Sequence, residues 1–262
     1  MPEVQVTFDA ADQYDRFMGR WSRAIGDKFL AWLAPPMSLR WLDAGCGTGA
    51  FSELILQQCE PASLVGIDPA PAQIDYARKT FPKLDFRVGD AMAMPLGDND
   101  FDVVVSALVI HFITDRAKAF AEMKRVARHG GIVGGYLWER TATTDFAPYA
   151  PMYRGVQHIA GDSLRSPLVP EATLEGMGAS LRAAGYRDIN VKQIEAEQTF
   201  KDFDDYWEVQ TLTFHPVGKS VAALTDAQRA KLRDHMHSTL PIAKDGSITY
   251  PARSIAFKAR TE

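Results

Sequence analysis

The sequence predicts an α/β protein in which a mostly parallel β-sheet is covered by α-helices on both faces. Two observations support this fold class. Short apolar runs alternate with amphipathic stretches from residue 22 to residue 138, as in a chain that alternates strands with helices. The run at residues 101–108 is largely apolar, which is typical of a parallel strand that is buried on both faces.

The individual elements follow from periodicity and from the residues that end them. The first helix is predicted over residues 22–33, where Pro35 and Pro36 stop it. Gly130 and Gly131 are expected to close the fourth helix. Helices two to four are predicted at about 50–58, 71–80 and 115–128, and strands from residue 39 and at 63–68, 84–91, 101–108 and 132–138.

After residue 138 the regular alternation stops, and a long insertion separates two further strands. The predicted elements are a helix at 174–184, a strand at 188–195, a helix at 226–239 and a strand at 246–258. Thr225 and Gln228 fit a capping box for the second of these helices, and Pro251 is expected at an edge or a bulge. Insertions of this length commonly cover an active site.

A glycine-rich turn follows the first strand in the sequence LRWLDAGCGTGA at residues 39–50. Glycine has no Cβ, so such a turn lets a ligand lie against the main chain and the N–H groups of the following helix. Asp43 lies at the end of the strand, where a buried carboxylate needs partners. We expect it to accept hydrogen bonds from N–H groups of the loop or from a ligand.

The spacing of the turn has two interpretations. Gly45, Gly47 and Ala50 satisfy the dinucleotide fingerprint of nicotinamide and flavin enzymes. Gly45, Gly47 and Gly49 instead resemble the first motif of class I S-adenosylmethionine-dependent methyltransferases. The sequences that follow, GID at 66–68, GDA at 89–91 and FDVVV at 101–105, favour the second interpretation, because a nicotinamide enzyme does not need the second acid.

The resemblance covers roughly residues 10–138 and is closest to the branch that includes ubiquinone and menaquinone biosynthesis methyltransferases. It implies a Rossmann-like sheet of seven strands in the order 3-2-1-4-5-7-6, with strand 7 antiparallel, and a helical lid formed by insertions. We expect one domain over residues 1–262. Its core is expected at about 22–138, 186–200 and 246–260, and its lid segments at about 1–21, 139–170 and 201–245.

The same resemblance implies a set of cofactor-binding residues. The methionine half of S-adenosylmethionine is expected at Asp43, Gly45, Cys46, Gly47 and Gly49. The ribose is expected at Asp68, next to Pro69, the adenine at Asp90, Ala91 and Met92, and the sulfonium near Leu108. Tyr14 and Arg20, in an aromatic and cationic N-terminal segment, either bind the cofactor carboxylate or belong to an anchor that packs this segment down.

No catalytic side chain is assigned, because the cofactor supplies the electrophile. His111 is either a general base or a packing residue. His235 and His237 are two apart on a predicted helix and cannot share a metal, so no metal is expected. Aromatic residues in the lid segments either line an apolar acceptor pocket, hold a cation or pack the lid, and they are Tyr149, Tyr153, Phe203, Tyr206, Trp207 and Phe214.

Composition limits the possible partners. The chain has 262 residues, 46% of them hydrophobic, and a formal net charge of −4, so it has no bulk attraction to nucleic acid. The motif Asn/Asp-Pro-Pro-Tyr of DNA adenine methyltransferases is absent, and SALV stands at 106–109. We find no signal peptide and no apolar run long enough for a membrane span, and we expect a cytoplasmic location.

These observations predict transfer of a methyl group from S-adenosylmethionine to a small-molecule acceptor, with S-adenosylhomocysteine as the product. Two alternatives stay open. One is an NAD(P)-dependent oxidoreductase with a Rossmann domain, and the other is a relative that binds the cofactor without catalysis. The acceptor, the acceptor atom and the oligomeric state are not assigned.

Overall fold

The structure, a computed structural model, describes residues 15–141, 145–161, 168–213 and 215–262. Its seven strands form one sheet in the predicted order β3-β2-β1-β4-β5-β7-β6. Strand β7 is antiparallel to both of its neighbours, and the other strand pairs are parallel. The strands are β1 Arg40–Ala44, β2 Ser63–Asp68, β3 Asp85–Val88, β4 Phe101–Ala107, β5 Ala127–Trp138, β6 Arg187–Phe200 and β7 Ile248–Arg260.

The described residues form nine α-helices. They are α1 Arg20–Leu33, α2 Ala50–Cys59, α3 Pro71–Thr80, α4 Arg116–Val126, α5 Ala150–Ala160, α6 Leu174–Ala183, α7 Phe203–Gln210, α8 Pro216–Ala222 and α9 Asp226–Thr239. Six of them agree with the predicted helices within a few residues, and three, α5, α7 and α8, were not predicted as helices. A π-helical turn at Asp15–Gly19 precedes α1. The predicted capping box of α9 is present at Thr225 and Gln228.

The sheet is buried on both faces, because successive side chains of a strand point to opposite sides. In β1, Trp41 packs into one apolar cluster and Leu42 into the other. In β4, Val103 and Val105 join the first cluster and Val104 the second. The fold class expected from the sequence is confirmed.

One expected boundary is wrong. Helix α4 ends at Val126, and the chain enters β5 directly at Ala127, so Gly130 and Gly131 lie inside a strand and do not close the helix. The physical reason is an irregularity in the β4–β5 pairing between Phe101 and Val103, since an irregular ladder suits glycine at positive φ. Gly130 has a φ of 68°.

The described lid segments share the core of the sheet. Side chains of α5, α7 and α9, among them Met152, Tyr206 and Leu232, are buried in the same cluster as α1 and one face of the sheet. Pro251 lies beyond the end of the β5–β7 pairing and opposite Glu197 of β6, so among the described strands β7 pairs only with β6 at this position.

Candidate functional site

The glycine turn lies between β1 and α2, at the carboxyl edge of the sheet. Gly45, Gly47 and Gly49 have φ values of 84°, 52° and 87°, a region that favours glycine. A side chain at Gly45 would overlap Val109, whose Cγ1 lies 2.7 Å from the position of an added Cβ. Ala50 is the first residue of α2, so the turn itself needs glycine at 49 and not at 50.

The N–H groups of the glycine turn donate to acceptors other than Asp43, which was the expected one. The N–H groups of Gly45 and Cys46 both donate to the carbonyl of Ile67, at 2.7 and 2.9 Å. The N–H of Gly47 donates to Asp68 Oδ2 at 3.1 Å. Asp43 therefore does not accept from the described loop N–H groups, and its partner is the Ser52 hydroxyl at 2.7 Å. Ser52 was missed because its side chain meets Asp43 only once α2 has formed.

Asp43 is fully buried, and one of its oxygens is unsatisfied. Its Oδ1 atom has no hydrogen-bond partner within the described ranges, and neither has the buried hydroxyl of Thr48. Burial raises the pKa of Asp43 to about 7, although the Ser52 hydrogen bond opposes this shift. A buried carboxylate near its pKa at neutral pH is suited to a ligand that brings a donor or a positive charge.

The second and third strands place two further carboxylates at the same edge. Asp68 accepts from the N–H groups of Gly47 and Ala70, and a carboxylate with two such bonds can still accept from ligand hydroxyls. Burial raises the pKa of Asp68. The N–H of Gly89 donates to the Asp68 carbonyl at 3.1 Å, so the two strand ends meet, and the exposed Asp90 follows directly.

The residues around these carboxylates differ in exposure. Pro69 is exposed, Ala91 is buried and Met92 is half-buried. Asp90 Oδ1 accepts from the N–H of Met92 at 2.8 Å. The two carboxylates and the residues beside them line the edge of β2 and β3, where the ribose and adenine were expected.

The end of β4 packs against the glycine turn. Leu108 is buried and has a φ of 61°, a strained conformation for leucine that is found at functional sites. Its N–H donates to the carbonyl of Tyr136 at 2.7 Å. The adjacent Val109 fills the space over Gly45. The structure thus brings the predicted sulfonium position and the predicted methionine site together.

His111 follows in the 3₁₀ turn Ile110–Phe112. Its Nδ1 is buried and has no hydrogen-bond partner in the described part of the chain. Burial, and to a smaller extent the charge of Arg140, lowers the pKa of His111 to about 3. The imidazole is therefore neutral at physiological pH and too weakly basic for an efficient general base.

Arg140 follows the end of β5 and was missed by the sequence analysis. It is buried, its Nε lies 3.4 Å from Asp145 Oδ2, and its guanidinium carbon lies 6.0 Å from the centre of the Tyr149 ring. Tyr149 in turn lies 6.4 Å from the ring of His215, which lies 4.8 Å from Phe17. In the sequence, its position is marked by the charged pair Glu139 and Arg140, which directly follows the apolar strand predicted at 132–138.

The N-terminal segment is described only in part, and Tyr14 lies outside the described residues. Arg20 is exposed and pairs with Asp205 of α7 at 3.7 Å, so its binding to a cofactor carboxylate stays a prediction. Phe17 and Trp21 are each 1% exposed. These two rings support the expected anchor, which packs the segment onto the domain.

The described aromatic residues of the lid have different neighbours. Tyr149 belongs to the group beside Arg140, and Tyr206 packs against Phe200 and Tyr250. Phe203 and Trp207 face the guanidinium of Arg233 at 5.0 and 5.2 Å, beside a cleft that Asp202, Asp204 and His237 also line. Tyr153 is buried, and Phe214 lies outside the described residues.

The Cys46 thiol lies in the glycine turn and is buried. Burial, with Asp43 and Asp68 nearby, raises the pKa of the Cys46 thiol, so it is not a thiolate nucleophile. His235 stacks on His158 with ring centres 4.4 Å apart. Within the described ranges, no group of three or more potential ligands is placed to hold a metal ion.

The described residues fit S-adenosylmethionine. The unsatisfied Asp43 Oδ1 and the glycines at positive φ leave a polar cradle at the methionine position, and Asp68 lies one strand away. The cradle lies at the carboxyl ends of β1 and β4, where the strand order reverses. Open α/β sheets bind their ligands at this crevice.

Comparisons with known sequences find similarity to methyltransferases. Residues 42–134 match a family model described as a methyltransferase domain. The malonyl-[acyl-carrier protein] O-methyltransferase of Serratia marcescens is 33% identical over 124 residues, which cover 47% of this chain and 48% of that protein. The demethylmenaquinone methyltransferase of Roseiflexus castenholzii is 38% identical over 109 residues, covering 40% of this chain and 44% of that protein.

The chain thus spans less than half the length of these two curated relatives. The fold is similar over a greater length to a solved structure of phosphoethanolamine N-methyltransferase 2 from Haemonchus contortus. That similarity has a TM-score of 0.61 at 18% identity and covers 98% of this chain and 58% of that chain. Among the described residues, no helix is long and apolar enough to cross a membrane.

Proposed function

We propose that this chain, whose residues 42–134 match a methyltransferase domain, transfers a methyl group from S-adenosylmethionine to a small-molecule acceptor. The observation that carries the proposal is the buried Asp43 carboxylate, whose Oδ1 has no partner among the described residues beside three glycines at positive φ. A further carboxylate, Asp68, stands at the end of the neighbouring strand. This arrangement suits a ligand with an ammonium group and a ribose.

The residues of this chain bind and orient the reactants. When bound, S-adenosylmethionine supplies an electrophilic methyl group on a positively charged sulfur. Asp43 and the glycine turn would hold its methionine half, and Asp68 and Asp90 its nucleoside. Leu108 and Val109 close the site at the end of β4 and exclude water there. Orientation of this kind can contribute about 7–11 kcal/mol to lowering the barrier.

The acceptor side lies at the ends of β4 and β5, where His111 and Arg140 are found. We assign the segments 139–170 and 201–245 as a cover for this side, because their described helices pack onto the same core as the sheet. Closure of such a cover keeps water from the reacting methyl group.

Methyl transfer is tested with S-adenosylmethionine that carries a trideuterated methyl group. The protein is incubated with a panel of phenols, carboxylic acids, amines and thiols, and products are identified by mass spectrometry. We expect one trideuteromethyl group on at least one acceptor, with equimolar S-adenosylhomocysteine. Tight binding of S-adenosylhomocysteine without turnover on any acceptor would favour the non-catalytic alternative.

A further inference from the structure

Helix α1 and the strand β6 border a surface on which lysines surround a tryptophan. Lys258 Nζ lies 4.7 Å from the centre of the Trp32 ring, and Lys192 Nζ lies 5.5 Å from the same centre. Lys28 precedes Trp32 by one turn of α1, and its ammonium donates to the carbonyl of Glu195 in β6 at 2.7 Å. We call Lys28, Trp32, Lys192 and Lys258 the lysine–tryptophan patch.

The strand register explains why the two strand lysines meet at one ring. Lys192 lies opposite Ala256, two residues before Lys258 on β7, so the lysines are diagonal neighbours on one face of the sheet. Ile194 follows two residues after Lys192 and is buried in the same cluster as α1, so this is the face that α1 covers. The helix and the sheet together hold the patch in place.

The positive charges of the patch have no acidic partner within the described ranges. Lys258 donates to the main-chain carbonyl of Trp32 at 2.7 Å, and among the described residues none of the three ammonium groups pairs with a carboxylate. The Glu195 side chain belongs to the other face of β6, because alternate residues of a strand face opposite sides. Asp27 of α1 is bonded by a side chain of α2. Three cations thus lie together on a chain with a formal net charge of −4.

The position of the patch favours several separate carboxylates over one compact phosphate group. Trp32 lies in the last turn of α1, where the helix dipole is negative and disfavours a dianion. The patch contains neither an arginine nor a helix N-terminus, which provide paired and main-chain bonds to phosphate. Each ammonium can instead bind one carboxylate. The half-buried Trp32 ring adds apolar surface of the kind found at the centre of protein interfaces.

We propose that the lysine–tryptophan patch is a docking surface for an extended segment of a partner protein that is rich in aspartate and glutamate. Strand β6 is 14 residues long and is the last strand of the described sheet, so an extended chain can lie along it. Every second side chain of such a segment faces the same way and meets the lysines on the α1 face. The proposal does not depend on methyl transfer or on the cofactor.

The test uses a short peptide of alternating glutamate and threonine, and a matched peptide with glutamine in place of glutamate. Nitrogen-15 NMR follows the indole N–H signals of the five tryptophans, and Trp32→Phe identifies that of Trp32. We expect the acidic peptide to shift the Trp32 signal more than the other four. The glutamine peptide should bind at least about tenfold more weakly, and added salt should weaken binding of the acidic peptide.

Charge reversal and charge retention at the two strand lysines test the role of the patch. Lys192→Glu together with Lys258→Glu should weaken peptide binding by about tenfold or more, whereas Lys192→Arg together with Lys258→Arg should retain it. The matched control is Lys83→Glu together with Lys244→Glu, which changes the net charge equally at two exposed lysines on other segments. The control should weaken binding by about twofold or less.

Three results would overturn the proposal. Absence of binding by the wild-type protein would leave the lysines as residues that keep a free strand edge from pairing. An equal effect of the control and of the charge reversal at the patch would show that only net charge matters. Tighter binding of inorganic pyrophosphate or of phosphatidylserine vesicles than of the acidic peptide, reported by the Trp32 signal, would favour a phosphate ligand or a membrane surface. No cofactor is present in these experiments, so their outcome is separate from that of the proposed function.

Discussion

The Ser52 hydroxyl donates a 2.7 Å hydrogen bond to Asp43 Oδ2 and so joins the first turn of α2 to the end of β1 across the glycine turn. The bond satisfies one oxygen of a fully buried carboxylate and leaves Oδ1 without a partner among the described residues. The pKa of Asp43 is consequently about 7, so a proton or a ligand can supply what the second oxygen lacks.

The raised pKa of Asp43 predicts how stability depends on pH. Its folded pKa of about 7 lies above the unfolded value of 3.8, so the folded protein binds the extra proton and gains stability as the pH falls through 7. As the pH falls from 6.5 to 5, the free energy of unfolding of the wild type, relative to that of Asp43→Asn, should rise by about 1.4 kcal/mol for each pH unit. Urea unfolding of both proteins measures this difference, and a constant difference would contradict the pKa.

Cofactor binding should release a proton from Asp43. An ammonium group near the carboxylate stabilises its charged form and lowers its pKa. At pH 6.5, titration of S-adenosylhomocysteine in two buffers with different ionisation enthalpies should give different heats for the wild type. Asp43→Asn should give heats that differ less between the buffers. Identical buffer dependence of the two proteins would show that Asp43 does not face the ligand.

Replacement of Gly45 should be far more harmful than replacement of Gly130. Both have positive φ, 84° and 68°, but only Gly45 would place a Cβ against Val109, while Gly130 has no atom within 4 Å of that position. Gly45→Ala should cost about 2 kcal/mol or more of stability and abolish cofactor binding. Gly130→Ala should cost about 1 kcal/mol and leave binding intact. Thermal unfolding and calorimetry of both variants test this contrast.

His111 should stay neutral from pH 8 down to pH 5. Burial and the Arg140 charge hold its pKa at about 3, below the usual 6.5, so the protonated ring forms readily only in the unfolded chain. The stability that the neutral, buried His111 ring contributes is complete above pH 6.5 and is lost as the pH falls toward 3. Titration of the imidazole carbon-bound protons by NMR, assigned with His111→Gln, measures this. A midpoint between pH 6 and 7 would instead make His111 a plausible base.

The resemblance to a known family implied the strand order, and local patterns of apolar and polar residues predicted most of the element boundaries to within a few residues. Apolar runs, Gly49 and the acids Asp68 and Asp90 lie close to the strands that they follow, so spacing alone places them at one edge of the sheet. The parallel strands then meet there without further information.

Other features depend on contacts between distant segments and could not be predicted. Ser52 meets Asp43 only after α2 has folded onto β1, and Val109 explains Gly45 only when β4 lies beside the turn. The burial of Arg140 could not be predicted, because it depends on the position of the end of β5 beside β4. Gly130 was misread because the local sequence does not show that β5 starts at Ala127.

Calorimetric titration with S-adenosylhomocysteine and with NADH tests the identity of the ligand at the glycine turn most directly. We expect saturable binding of one S-adenosylhomocysteine per chain, at least tenfold weaker binding in Asp68→Ala, where a ribose contact is lost, and no heat of binding with NADH. Binding of NADH without binding of S-adenosylhomocysteine would contradict the assignment of this domain and would favour the oxidoreductase alternative.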